Sequence, residues 1–244
     1  MTQRRANRIS TRHWVAGDTL IVDLGVRMRV LSSAPRGGGL RTTRFILNHQ
    51  VPSHPPGTDT TGRTWEHPSH YLRRLAETHG VEPDCVGLMT AVPMTQLVTH
   101  REERDGTWVE GFATVGVTNA VRAGEPVRQV QGEQIGATAG TINLIVVTNG
   151  CLAVPAMVGA VQVATESKTG VLRDHAVPSW TGLAGATGTG TDAVVVASAL
   201  RGRGPWYPYA GTHTEIGSMI GRVVAECLLQ GLALAAQWAD QRRT

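Results

Sequence analysis

One lysine, Lys168, stands among 23 basic residues, and every other one is arginine. Arginine cannot be deprotonated under protein conditions, so it does not replace a lysine that exchanges protons. Lys168 therefore reads either as a catalytic ammonium or as the last lysine of an arginine-biased composition. It lies in Thr165-Glu166-Ser167-Lys168, where Glu166 is a carboxylate able to activate water. Residues two apart on a helix are separated by 200°, so Glu166 and Lys168 cannot both face one site on a regular helix. Either one of them faces solvent or the helix ends early.

Four further segments carry small polar residues at strand or helix ends. Gly188-Thr189-Gly190-Thr191-Asp192 looks like a phosphate loop but lacks Gly-Lys-Ser/Thr and leads into a strand. It reads either as backbone N–H groups approaching a ligand, with Asp192 as a fixed carboxylate, or as a turn. His213, within Ala210–Glu215, falls at a helix start. The helix dipole there keeps an imidazole neutral and basic, and the N–H groups suit an anion. The plainer reading is a surface histidine between Thr212 and Glu215, a Thr/Glu pair at capping-box spacing. Thr118 and Asn119 follow a strand, and Asn119 serves either the turn or an oxyanion. Thr141-Ile142-Asn143 opens the most apolar strand.

The elements that must position these groups come next. Residues 18–33 read as one or two strands, and 44–51 as another. Residues 69–79 form a helix with Ser69 as N-cap and Gly80 beyond its end. Strands are expected at 86–91, 96–101 and 108–117, the last two joined by the Asp105-Gly106 hairpin turn. Residues 141–148 form a strand buried on both faces. A helix covers 154–173 with Pro155 in its first turn, a strand covers 191–200, and the longest helix covers 212–241. The fold class is α/β (mixed α+β). A single domain holds a mixed, largely central sheet flanked by helices, with the long C-terminal helix packed on it. The domain spans 18–241 behind a flexible basic arm, 1–17. A long loop, 52–68, carries His54, Asp59, Trp65, Glu66 and His67.

Composition excludes several classes. The chain has 244 residues with 41% hydrophobic and 17% charged, which does not suit disorder. The net charge of +4 sits at the ends: removing Arg4, Arg5, Arg8, Arg12, Arg242 and Arg243 leaves −2. Nucleic acid is therefore not an expected partner. No uninterrupted apolar run approaches the ~20 residues of a membrane span, so no membrane insertion is expected. Three cysteines, Cys85, Cys151 and Cys227, form neither a disulfide framework nor a zinc pattern, as expected of a cytoplasmic protein. Cys85 and Cys227 read as core, and Cys151 as core or a nucleophile. No metal site is expected, although a metal requirement stays open. There is no Gly-x-Ser-x-Gly, His-Glu-x-x-His or Cys-x-x-Cys motif.

Several segments, in their order and spacing, resemble the adenosylcobinamide amidohydrolase family of corrinoid salvage. They are Gly87–Ala91, Ala113–Glu125, Thr141–Asn143, Thr165–Lys168, Gly188–Asp192 and Tyr209–Gly217. The resemblance covers about residues 18–235. It implies hydrolysis of the amide joining the corrin propionyl side chain to aminopropanol, giving adenosylcobyric acid. The cobalt corrinoid would be substrate, and no other cofactor is implied. Amide hydrolysis needs a nucleophile, an oxyanion stabiliser and an acid for the amine. We assign Glu166 or His213 as base, Lys168 or His213 as acid, and Asp192 as the residue that orients one of them. Thr118, Asn119, Asn143, Gly188, Thr189, Gly190, Thr191, Thr212 and Glu215 would contact substrate. Loop 52–68 would cover a planar ligand, coordinate cobalt or be a disordered insertion. Two other classes stay open: an amide-cleaving or amide-forming enzyme of specialised metabolism, and a non-catalytic corrinoid-binding protein. A homo-oligomer is compatible with all of these.

Overall fold

The structure, a computed structural model, describes residues 9–51, 67–126 and 140–241. Most of loop 52–68, and the arginines at positions 4, 5, 8, 242 and 243, lie outside the described residues. In chain order the elements are β1 (Arg12–Ala16), β2 (Thr19–Ser32), β3 (Gly39–Gln50), α1 (Pro68–Thr78), β4 (Val86–Thr90), β5 (Val98–Arg104), β6 (Thr107–Val115) and β7 (Ala120–Val121). There follow β8 (Ile142–Thr148), β9 (Cys151–Leu152), α2 (Val154–Asp174), β10 (Gly188–Thr189), β11 (Ala193–Ser198), β12 (Trp206–Tyr207) and α3 (Glu215–Gln241).

The main sheet runs β4-β3-β2-β11-β8-β6-β5, with β1 on the first half of β2. It is mixed: β8 and β11 are parallel, as are β3 and β4, and the hairpins are antiparallel. The sheet folds over on itself. Leu20, Val22, Ile46 and Leu88 from one half share a core with Phe112, Ile145, Val147 and Val195 from the other. A second core lies on the outer face of β6, β8 and β11, filled by Ala160 and Ala164 of α2 and Ile220, Val223 and Cys227 of α3. A smaller third core holds α1 against Ile21 and Leu47. The layers therefore run helix, sheet, sheet, helix.

Polar groups cross between the two sheet layers. Asn48 Nδ2 donates to Thr114 Oγ1 at 3.1 Å. Asn143 Nδ2 donates to Asn48 Oδ1 and to the Met89 carbonyl, both at 2.9 Å. Buried amides must be paired, so these bonds fix how the layers sit on each other.

β2 belongs to both layers. Its register with β3 shifts between Asp23 and Met28, and Gly25 takes φ +73°. A left-handed residue in a bulge is where glycine costs least. Asp23 holds the bend. Its carboxylate accepts from Gly25 N at 2.8 Å, from Arg44 Nε and Nη2 at 2.7 and 2.8 Å, and from Arg12 at 3.0 Å.

Several expectations change. Arg12–Ala16 was expected in the basic arm, yet it forms β1, and Arg12 is an ion-pair partner of buried Asp23. The cap of α1 is His67, whose Nδ1 accepts from Ser69 N at 3.3 Å, because Pro68 takes the first helical position. The N-cap of α3 is Thr214: its Oγ1 accepts from Gly217 N at 3.0 Å. Thr212 is exposed two residues earlier, and Glu215 pairs with Arg104 at 3.1 Å, so no Thr212–Glu215 capping box forms. Glu215–Ala239 is long and apolar enough to cross a membrane by length and composition. Counting uninterrupted apolar runs missed it because Arg222 and Glu226 fall inside. Its apolar stripe packs on β6 and α2.

The two arginines and Gly25 hold the Asp23 carboxyl down at about 2, from an ordinary 3.8. A depressed acid stabilises the fold above its unfolded value, and that stability is lost as pH falls through the folded value. Stability is thus expected to fall between about pH 4 and pH 2. Asp23→Asn should remove about 2 kcal/mol at pH 7. It should also flatten the acid limb, as read by urea unfolding across pH.

Candidate functional site

The parallel register of β8 and β11 sets Asn143 beside Ala193. Two residues upstream on each strand stand Thr141 and Thr191, and their hydroxyls meet at 2.6 Å. The loop between β10 and β11 then places Asp192 next to the start of β8. Asp192 Oδ1 accepts from Ile142 N at 3.0 Å and from Thr189 Oγ1 at 2.5 Å. Its Oδ2 accepts from Thr189 N at 3.0 Å and pairs with Lys168 Nζ.

Lys168 reaches this point because helical spacing puts it on the stripe of Ala160 and Ala164, the face of α2 that packs on the sheet. Its side chain is 8% exposed and that of Asp192 is 11%. A buried ammonium without a counter-charge would be strongly penalised, so the pair is obligatory. Gly188 makes room for it. A Cβ there would fall on Asp192 Oδ2 and come within 2.7 Å of Lys168 Nζ. Two of the four bonds to Asp192 come from backbone amides, Ile142 N and Thr189 N, and the other two from the Thr189 hydroxyl and Lys168. The pair thus pins the first residue of β8 to the glycine-threonine loop.

Asn119 joins the same place from the turn after β6. Its Oδ1 is buried, has no hydrogen-bond partner and faces Gly140. The expectation was an amide N–H for an oxyanion. The atom that packs against Gly140 is the amide oxygen. Thr118 is exposed beside it. Asn143 lies deeper, 1% exposed between the layers, with its Oδ1 also unpartnered. It serves the interlayer chain and does not line an open surface. Gly190 and Thr191 are exposed, whereas Gly188 and Thr189 are buried.

Three expected members are elsewhere. Glu166 is exposed on the opposite side of α2 and accepts from Gln162 Nε2 at 3.0 Å. It does not reach the pair, as the 200° offset requires. His213, Thr212 and Glu215 sit at the other end of the sheet, in an open polar pocket with Arg104 and Arg222. The chain entering α3 packs against Gly159 of α2 at Ala210. Lys168 is nine residues further along that helix, roughly 13 Å at 1.5 Å per residue. His213 is therefore neither base nor acid for this cluster. Cys151 is fully buried in β9, and burial pushes its thiol up, which removes it as a nucleophile. Burial also pushes Cys85 up, and Cys227 up to about 12.

Thr141 is the residue that sequence reading passed over. It appeared only as the opening of an apolar strand, although the Thr141-Ile142-Asn143 motif contained it. Its hydroxyl gains meaning only from the β8–β11 register.

Removing one partner of a buried pair costs about 3–5 kcal/mol, because it strands the other charge. Lys168→Met should therefore destabilise by about 3 kcal/mol. Lys168→Met combined with Asp192→Asn should recover part of that loss. Denaturant unfolding of both variants and the Asp192→Asn single reads the coupling. Additive losses would show that the two groups act independently.

Comparison with known proteins identifies the family. Residues 3–240 match the family model described as adenosylcobinamide amidohydrolase. A Methanosarcina mazei protein named adenosylcobinamide amidohydrolase is 32% identical over 209 residues, covering 82% of this chain and 88% of that protein. A Methanocaldococcus jannaschii protein, "Uncharacterized protein MJ1613", is 29% identical over 229 residues, covering 88% and 85%. Among solved structures, a Burkholderia sp. beta-aminopeptidase matches with a TM-score of 0.43 at 12% identity, covering 93% of this chain and 82% of that one. The PH0078 protein from Pyrococcus horikoshii OT3 matches at 0.40 and 12%, covering 92% and 83%. With a family match that runs through every residue of the Thr141–Lys168–Asp192 cluster, the chain belongs to the adenosylcobinamide amidohydrolase family and is a hydrolase acting on an amide bond.

Proposed function

We propose that the protein cleaves the amide joining the corrin propionyl side chain to aminopropanol in adenosylcobinamide. The products are adenosylcobyric acid and the amino alcohol. The observation that carries this reading is the family match across the whole described site, together with the 32% identical relative of that name. The cobalt corrinoid is substrate, and the chain's own residues supply the chemistry.

The site suits such a reaction. Hydroxyls and a fixed ion pair meet at the strand ends, where a carbonyl can approach backbone. Next to them, Trp180 N donates to Ala120 O at 2.9 Å, and Ala120 pairs with Thr189. Trp180 is 39% exposed and Leu183 is 65% exposed, giving apolar surface beside the cluster for a broad planar ring.

Purified protein incubated with adenosylcobinamide is expected to yield adenosylcobyric acid by chromatography and mass analysis. A spectral change without product would support a corrinoid-binding protein instead. No product and no spectral change would overturn the reading. Glu166→Gln and His213→Ala should keep kcat/KM within about threefold of wild type, since neither touches the cluster.

A further inference from the structure

Amide hydrolysis requires a nucleophile, and the described cluster holds no histidine or cysteine. Its oxygen nucleophiles are the hydroxyls of Thr141, Thr189 and Thr191. Thr189 is committed, since its hydroxyl donates to Asp192 Oδ1 at 2.5 Å. Asp192 is saturated by Ile142 N, Thr189 N, Thr189 Oγ1 and Lys168. A carboxylate with four donors cannot take up a proton without releasing the loop it holds. Lys168 is likewise occupied in that pair. The ion pair is thus a frame, and Lys168 and Asp192 are positioning residues.

What the frame positions is Thr141. Its backbone is held on both sides: Gly116 N donates to Thr141 O at 3.0 Å, and the next amide, Ile142 N, is on Asp192. Its hydroxyl is held against Thr191 Oγ1 at 2.6 Å, at the short end for two hydroxyls. Thr191 is exposed, and its hydroxyl is also 3.5 Å from Gly140 O. Thr141 itself is 6% exposed, so its hydroxyl sits at the inner end of a two-hydroxyl chain that opens to solvent.

We propose that Thr141 Oγ1 is the nucleophile and that Thr191 is its proton relay. This rests on the amide-hydrolase reading and adds to it a covalent intermediate. Thr141 Oγ1 bonds to the carbonyl carbon of the amide. Its proton passes to Thr191 Oγ1, and the Thr191 proton passes to the amide nitrogen as the C–N bond breaks. The amine leaves, and the acyl group remains as an ester on Thr141. Water then attacks the ester carbonyl. Its proton passes through Thr191 to Thr141 Oγ1 as the C–O bond breaks, giving the free acid and the original threonine. No oxidant, reductant or metal enters the balance.

Two arms test this. In the first, wild type, Thr141→Val, Thr141→Ser and Thr191→Val turn over adenosylcobinamide with and without hydroxylamine. Thr141→Val keeps the shape and loses the hydroxyl, so kcat should drop by about 10³-fold with corrinoid binding by visible titration unchanged. Thr141→Ser should restore activity, and Thr191→Val should lower kcat while leaving KM. Wild type should divert part of its product to the hydroxamate. Turnover by Thr141→Val within tenfold of wild type would overturn the proposal while leaving the amidohydrolase reading intact. In the second arm, p-nitrophenyl acetate replaces the corrinoid, so the test survives a wrong substrate. One acetyl group should appear on the peptide containing Thr141 and be missing from Thr141→Val. Acetylation elsewhere only, or none, would also overturn it.

Discussion

A charged lysine buried under a sheet must be answered by an opposite charge, and the arrangement of the candidate site follows from that demand. Lys168 enters from α2, Asp192 meets it from the loop before β11, and Gly188 lacks the side chain that would separate them. The remaining lone pairs of Asp192 are then filled by Thr189 and by the first amide of β8. One electrostatic requirement thereby ties together a helix, a glycine-rich loop and the starts of two parallel strands. The hydroxyls at those starts inherit their geometry from that pair.

This division of labour separates holding from reacting. Ion pairs inside proteins seldom add much net stability over apolar packing, yet they punish any arrangement that parts them. Here that penalty acts on the loop Gly188–Asp192, which is otherwise rich in residues with backbone freedom. A glycine-threonine loop can come close to a ligand only if something stiffens it. The carboxylate does so through its backbone and hydroxyl donors. Trp180 and Leu183 are exposed in the segment beside that loop, where Trp180 N donates to Ala120 O of β7.

Much of this was legible in the sequence, and the rest was hidden for identifiable reasons. The lone lysine and the Gly-Thr-Gly-Thr-Asp run stood out separately in the sequence, and the fold brings them together as one ion pair. The 200° rule already implied that Glu166 and Lys168 part company. Which of them turns inward was hard to read because α2 carries small apolar residues around much of its circumference, with Val158 exposed and Ala160 buried. His213 misled because a helix start is a local signal, whereas the end of the sheet it occupies is set by pairing between distant strands. Thr141 was hidden for the same reason: no property of Thr141 or Thr191 alone reveals that parallel register sets them side by side. β1 was taken for a tail since its five residues acquire a role only against the bent strand β2.

The amides of Asn48 and Asn143 tie the start of β8 to the docking of the two layers. They lie between two otherwise greasy layers, and any sliding of one layer over the other would leave them desolvated and unpaired. Asn143 is only two residues from Thr141, so the same contact that checks the docking of the layers also anchors the start of β8. Docking of the two layers and the meeting of the Thr141 and Thr191 hydroxyls thus depend on one and the same strand, β8, held in a single register.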